Sequence, residues 1–212
     1  MKIDRFEFNM FGENTYVVTD PETNECAVID PGMVSPEECG RMDGFLARNG
    51  LKLKCVICTH LHVDHLFGVK YLMEKYGVEL YANENDEFLA ERVNQQLQMF
   101  GIPVTMDGVS IGKNITDGDK ITIGNGELRV ITVPGHSPGS VALYDKADKF
   151  VITGDALFRL GIGRTDLPGG DYPTLIQSIK SGLMSLPDDT TVYPGHGQSS
   201  TIAYEKRWNP YL

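Results

Sequence analysis

Three of the five histidines fall within six residues, in His60-Leu61-His62-Val63-Asp64-His65. The other two each follow a Pro-Gly pair: His136 in Pro134-Gly135-His136-Ser137-Pro138-Gly139, and His196 in Pro194-Gly195-His196-Gly197. No histidine is left for an ordinary packing role. Imidazole is the commonest side-chain metal ligand and stays neutral at pH 7 at little cost. In an extended segment, side chains two apart point the same way, so His60 and His62 can converge on one ion. Asp64 and His65 come next, where a helix is expected to begin. The positive end of that helix would keep Asp64 ionised and His65 neutral, the forms that bind metal. Asp155, preceded by Gly154, adds a carboxylate. This pattern points to a metal centre, and a divalent ion there lowers the pKa of bound water to about 7, supplying hydroxide for hydrolysis.

The elements that must position these residues are legible as alternating patterns. Lys2 to Phe8, Thr15 to Thr19 and Cys26 to Ile29 read as strands, with Ile3, Phe6 and Phe8 as candidate core residues. Ser35-Pro36-Glu37-Glu38 is a helix start, with an N-cap, proline at the first position and acids in the first turn; the helix should end near Asn49-Gly50. Lys52 to Thr59 is a strand that delivers His60 at its end. Leu66 to Tyr76 reads as a helix closed by Gly77, and Val78 to Ala82 as a short strand. Glu84 to Phe100 reads as one amphipathic helix with Phe88, Leu89, Val93, Leu97 and Phe100 on one face. In the second half, Lys120 to Ile123, Glu127 to Val133, Ser140 to Tyr144, Phe150 to Thr153 and Thr191 to Tyr193 are strands, and Tyr172 to Leu186 is a helix. His136, Asp155 and His196 each follow a strand, which is where sites form in α/β architectures. The order suits a mixed-sheet α/β domain with helices outside.

Composition bounds the function. The 212 residues carry a net charge of −10, which repels phosphate backbones and argues against nucleic acid as a partner. No stretch approaches the roughly 18 apolar residues of a membrane span, and Met1 to Phe11 lacks the apolar run of a signal peptide. The four cysteines, Cys26, Cys39, Cys55 and Cys58, are expected as free thiols of a cytoplasmic protein.

The run His60–His65 with isolated His136, Asp155 and His196 resembles the metallo-β-lactamase-fold hydrolases over most of the chain. Thr153-Gly154-Asp155-Ala156-Leu157-Phe158, Gly163-Arg164-Thr165-Asp166 and Tyr193-Pro194-Gly195-His196-Gly197 look like the glyoxalase II-type branch, the hydroxyacylglutathione hydrolase-like enzymes. The resemblance implies a single domain over residues 1–212, an αββα sandwich of two mixed sheets with helices on the outer faces and metals at one edge. It implies a first ion held by His60, His62 and His136, and a second by Asp64, His65 and His196, with Asp155 bridging. Zinc (Zn2+), two per chain, is the expected metal; iron or manganese suits the same ligands. The expected substrate is a small-molecule thioester, because a thiolate leaves without the proton donor an amide nitrogen needs, and Asp64 and Asp155 are the expected catalytic residues. Full-length glyoxalase II enzymes hold glutathione with a further C-terminal helical region. This sequence ends at Leu212, soon after His196, so the resemblance does not carry over the thiol carrier; the acyl group and the oligomeric state are not read from the sequence either. Gly163-Arg164-Thr165-Asp166 also resembles the persulfide dioxygenases, which use a single iron on the same scaffold. Arg159 and Arg164 are candidates for gripping a substrate carboxylate.

Other motifs carry less. Gly135-His136-Ser137-Pro138-Gly139 fits Gly-x-Ser-x-Gly, and Ser137, Asp155 and His196 occur in the order of an α/β-hydrolase triad. The serine, however, precedes a strand rather than a helix, and a triad would leave His60, His62 and His65 idle. Cys55 and Cys58, three apart in a strand, face opposite sides and suit neither a zinc knuckle nor a redox pair. Gly161-x-Gly163 lacks the Gly-Lys-Ser/Thr of a phosphate loop.

Overall fold

Val17 and Val18 are neighbours in sequence yet enter different cores, because successive strand side chains point to opposite faces. That alternation builds the layers. In the computed structural model, which describes residues 1–212, the N-terminal half forms a sheet of β1 (Lys2–Phe8), β2 (Glu13–Thr19), β3 (Glu25–Ile29), β4 (Lys52–Ile57), β5 (Leu80–Ala82) and β6 (Lys113–Asn114), in that spatial order. The β1–β2 and β2–β3 pairs are antiparallel, and the β3–β4, β4–β5 and β5–β6 pairs are parallel. Parallel neighbours need crossovers, and α1 (Pro36–Arg48), α2 (Val69–Tyr76), α3 (Glu87–Glu91) and α4 (Val93–Met99) lie in these connections.

The C-terminal half forms the second sheet. Its strands β7 (Lys120–Ile123), β8 (Gly126–Thr132), β9 (Val141–Asp145) and β10 (Phe150–Gly154) lead into a small hairpin of β11 (Leu157–Phe158) and β12 (Gly161–Ile162). After α5 (Tyr172–Ser181) come β13 (Thr191–Pro194), β14 (Ser200–Thr201) and α6 (Ile202–Trp208). The spatial order is β14-β13-β10-β9-β8-β7, with β10 and β13 parallel. Tyr16, Val18, Ile29 and Ile57 of the first sheet meet Ile121, Val130, Leu143 and Ile152 of the second in the central core. The outer face of the first sheet packs on Met42, Leu46, Val69 and Leu72 of α1 and α2. The outer face of the second packs on Leu175, Ile179 and Ile202 of α5 and α6. The result is the αββα sandwich with two mixed sheets. No helix is long and apolar enough to cross a membrane.

Local signals explain most element ends. Ser35 and Glu38 form a reciprocal capping box at α1, and Gly77 closes α2 in the left-handed conformation at φ 66°. Four expectations are corrected. The strand before His60 ends at Ile57 rather than Thr59. The helix expected from Leu66 begins at Val69, and Val63–His65 is a lone 3-10 turn, so the helix-end argument for the states of Asp64 and His65 has no full helix behind it. The helix over 84–100 is broken at Arg92 into a 3-10 turn, α3 and α4. The Gln96 amide folds back to the Leu89 carbonyl at 2.9 Å, which also accepts from the Arg92 N–H at 3.2 Å. The helix over 172–186 ends at Ser181 and leads into a 3-10 turn over Leu183–Ser185.

Candidate metal centre

The site gathers at one edge of the sandwich from four loops, each following a strand. His60 and His62 lie after β4, His136 after β8, Asp155 after β10 and His196 after β13. Ligand atoms of His60, His62 and His136 lie within 4.8 Å of one another, and so do those of Asp64, His65 and His196. Within the first trio, His62 Nδ1 is 2.8 Å and His60 Nε2 is 3.3 Å from His136 Nε2. Within the second, Asp64 Oδ2 is 3.2 Å from His196 Nε2 and 3.7 Å from His65 Nε2. Asp155 sits between the trios. Its Oδ1 is 3.5 Å from His65 Nε2, and its Oδ2 is 3.6 Å from His196 Nε2 and 3.7 Å from His136 Nε2. All seven residues singled out in the sequence as ligands converge.

Four of the imidazoles are oriented from behind. His136 donates through Nδ1 to the Arg164 carbonyl at 2.7 Å, and His196 through Nδ1 to the Phe11 carbonyl at 3.2 Å. Thr59 Oγ1 donates to Asp30 Oδ2 at 2.7 Å and so accepts from His60 Nδ1 at 3.1 Å. His65 Nδ1 faces Asp30 Oδ2 at 3.2 Å, with Glu13 Oε1 beyond at 4.0 Å. For His60, His136 and His196 the outer nitrogen takes the proton and Nε2 faces inward, which is how ligating histidines are prepared, while His65 turns Nδ1 to two carboxylates. Glu13, Asp30 and Thr59 do not stand out in the sequence as functional. Their one signal is polarity at the sheet end, inside runs that otherwise read as core strand, and all three are buried.

The first strands also carry the last histidine. Asn14 and Tyr16 of β2 donate to the Pro194 carbonyl at 2.9 and 2.6 Å, and Asn14 reaches the Gly197 carbonyl at 2.9 Å. Two glycines let the loops close. A Cβ at Gly154 (φ 49°) would overlap Thr59 Oγ1, and one at Gly195 would overlap Asp155 Oδ1. Asp86 ties two ligand loops together: it accepts from Leu61 N at 3.2 Å, Ser137 Oγ at 2.6 Å and Gly139 N at 2.6 Å. The serine of the Gly-x-Ser-x-Gly stretch thus bonds to a buried carboxylate and to Ser140, with no imidazole on it. Gln96 secures the same loop, accepting from Val63 N at 3.0 Å and donating to the Leu61 carbonyl at 3.2 Å.

The electrostatics favour a cation. Burial, then His136, drops the His62 imidazole to about 3, and burial with the surrounding imidazoles holds His60 well below its ordinary value. His65 goes the other way: burial disfavours its charged form, but Asp64, Asp30 and Asp155 outweigh it and hold its pKa well above the ordinary value. This corrects the expectation of a His65 kept neutral by a helix end. Asp155, despite burial, is held well below the carboxylate range by His65 and His196, and Asp64 is lowered similarly by His65 and His196. Buried nitrogens and oxygens without a hydrogen-bond partner include His62 Nε2, His65 Nε2 and Asp155 Oδ1. The neutral His60 and His62 imidazoles, crowded against His136 beside the ionised Asp64 and Asp155, belong to the donor set of a divalent cation.

The candidate arginines stand apart from this cluster. Arg164 forks its guanidinium onto Asp166 at 2.7 and 2.8 Å. Arg159 lies over the Tyr204 ring and donates to Gln198 at 3.2 Å. Cys55 packs between the sheets and Cys58 on the helix side, opposite faces as the spacing requires. Burial pushes the Cys55 thiol up to about 12.

Residues 9–196 match the metallo-beta-lactamase superfamily, and the chain belongs to it. It is 37% identical to the hydroxyacylglutathione hydrolase GloC of Haemophilus influenzae over 214 residues, covering 100% of this chain and 98% of that protein. It is 34% identical to the probable metallo-hydrolase YqgX of Bacillus subtilis, covering 100% and 98%. Among solved structures it is similar to the BLEG-1 B3 metallo-beta-lactamase (TM-score 0.90, 30% identity, 100% and 99% covered) and to TTHA1623 in a di-iron-bound form (TM-score 0.87, 34% identity, 99% and 100% covered). ETHE1 from Myxococcus xanthus shares the fold at a TM-score of 0.79 and 29% identity, with 99% and 84% covered. The fold and its His/Asp cluster imply a divalent metal and a metallo-hydrolase.

Proposed function

We propose that this chain is a cytoplasmic metal-dependent hydrolase that cleaves thioesters, S-acyl thiols of the hydroxyacylglutathione kind. His60, His62 and His136 would hold one ion and Asp64, His65 and His196 a second, with Asp155 shared. Zinc is the metal this reading favours, although the di-iron form of a similar structure keeps iron in the test. The observation that carries it is the convergence of two ligand trios on either side of one carboxylate. When bound, the ions supply a hydroxide at neutral pH and polarise the carbonyl under attack.

The chain's own residues do the rest. Asp64 and Asp155, held ionised, accept hydrogen bonds from the attacking water and aim it. Three other carboxylates near the site are committed elsewhere: Glu13 to Thr15, Asp30 to Thr59, Asp86 to Ser137 and Gly139. None lines the cavity beside His62, which holds no acid at all. An amide nitrogen would leave this site without a proton donor. A thiolate, with a thiol pKa of about 8.5, leaves unaided. The buried free cysteines suit a reducing compartment.

Metal analysis and a thioester panel test the reading. About two zincs per chain, with thioester cleavage lost to a chelator and restored by metal, is the expected result. His62→Ala should lose at least about 100-fold in kcat while its circular dichroism stays native. One iron per chain with oxygen consumption on a persulfide would replace this reading with the persulfide dioxygenase one.

A further inference from the structure

The break at Arg92 opens a cavity beside the candidate metal centre. It is lined by His62, Phe88, Leu89, Phe100 and Leu167, with Arg92 as its one charged residue. Its volume is about 60 Å3. A cavity of that size admits a short acyl chain. A tripeptide thiol is far larger and must lie on the open side. The cavity therefore suits the acyl half of a thioester.

Arg92 decides what kind of acyl half. The guanidiniums of Arg159 and Arg164 are stacked or paired, whereas that of Arg92 is exposed and makes no ion pair in a chain of net charge −10. It projects from the junction of α3 and α4, where Gln96, fixed to the Leu61 and Leu89 carbonyls, ties this wall to the histidine loop. An apolar cavity that starts at a metal-ligand histidine, with exposed Arg92 on its wall and a free guanidinium toward solvent, recognises an aliphatic chain that ends in an anion at the rim. Resting on the thioester reading above, we infer that this pocket selects short acyl groups with a terminal carboxylate, and that Arg92 is the specificity-determining residue.

The test compares S-glutaryl-N-acetylcysteamine with S-pentanoyl-N-acetylcysteamine, which share a thiol and a five-carbon acyl chain and differ in the terminal carboxylate. Metal-loaded wild type should favour the glutaryl compound by about 10–100-fold in kcat/KM, the range of one charge-assisted hydrogen-bonded pair. Arg92→Met, which keeps the bulk and removes the charge, should collapse that ratio to near unity, with the loss in KM rather than kcat. No preference in wild type, or one that survives in Arg92→Met, overturns the inference. Calorimetry with the uncleavable thioether S-(4-carboxybutyl)-N-acetylcysteamine keeps it separate from the proposed reaction. If no thioester is turned over, the hydrolase reading falls, and the pocket still stands or falls on whether Arg92→Met weakens thioether binding by at least about 5-fold or leaves it unchanged.

Discussion

Asp86 touches none of the seven ligand residues, yet two of the ligand loops hang on it. One oxygen accepts from Leu61 N, between His60 and His62, and from Ser137 Oγ, next to His136; the other accepts from Gly139 N. Burial raises the Asp86 carboxyl above its ordinary value, with Ser137 and the two backbone donors opposing. Asp86→Ala should therefore reduce metal affinity or turnover by about 10–100-fold, the usual effect of losing a group that orients ligands. Metal titration against a competing chromophoric chelator would show it, and unchanged affinity together with unchanged turnover would remove Asp86 from the machinery. The ligands themselves were readable because histidine is scarce and here every one stands in a metal-type motif. Glu13, Asp30, Thr59, Asp86 and Gln96 were not, because a buried polar group declares its purpose only through the partner it meets. The ligand-loop partners of Asp30, Asp86 and Gln96 lie 25 to 53 residues away along the chain.

At the scale of elements, α1 and α2 are clamped through one carboxylate. Asp43 of α1 accepts from Tyr71, from Tyr76 Oη at 2.8 Å and from Lys75 Nζ at 2.5 Å, all on α2. Partial burial alone would raise its pKa, but these three donors leave it below the ordinary 3.8. A carboxyl lowered on folding adds stability above its unfolded pKa and loses that contribution as the pH falls through the folded value. Asp43→Asn should cost about 1–2 kcal/mol at pH 7, and the deficit should shrink toward zero as the pH drops below about 4. Urea unfolding at pH 7 and pH 3 measures it; an equal deficit at both would rule out the charge as the cause. Elements with strong local signals, such as the Ser35–Glu38 box of α1 and the glycine end of α2, were legible in the sequence. Elements set by distant partners were not. The two-residue strands β6, β11, β12 and β14 exist only because a neighbour pairs with them. The break at Arg92 interrupts an apolar face that reads as continuous.

On the scale of the whole molecule, the site is a seam. His60, His62, Asp64 and His65 follow the fourth strand of the first sheet, while His136, Asp155 and His196 follow strands of the second. Each ligand trio draws on both halves, so an ion held by it would link the two sheets at the edge where their shared apolar core ends. Several buried polar atoms meet there without a protein partner, which makes that edge costly to close unless a cation satisfies them. A ligand that binds only the folded chain stabilises it by about 2.7 kcal/mol at a concentration 100 times its Kd. For a chain of 212 residues that corresponds to a rise in Tm of about 5–10 °C. Chelator-treated protein should therefore melt about 5–10 °C below protein supplied with zinc at that excess. Asp155→Asn, which removes the charge facing both trios, should shrink the gap, whereas Asp43→Asn should lower both melting temperatures and leave the gap intact. Scanning calorimetry of the three proteins with and without zinc decides the matter. Coincident melting curves for wild type in the two conditions would mean that no cation spans the seam.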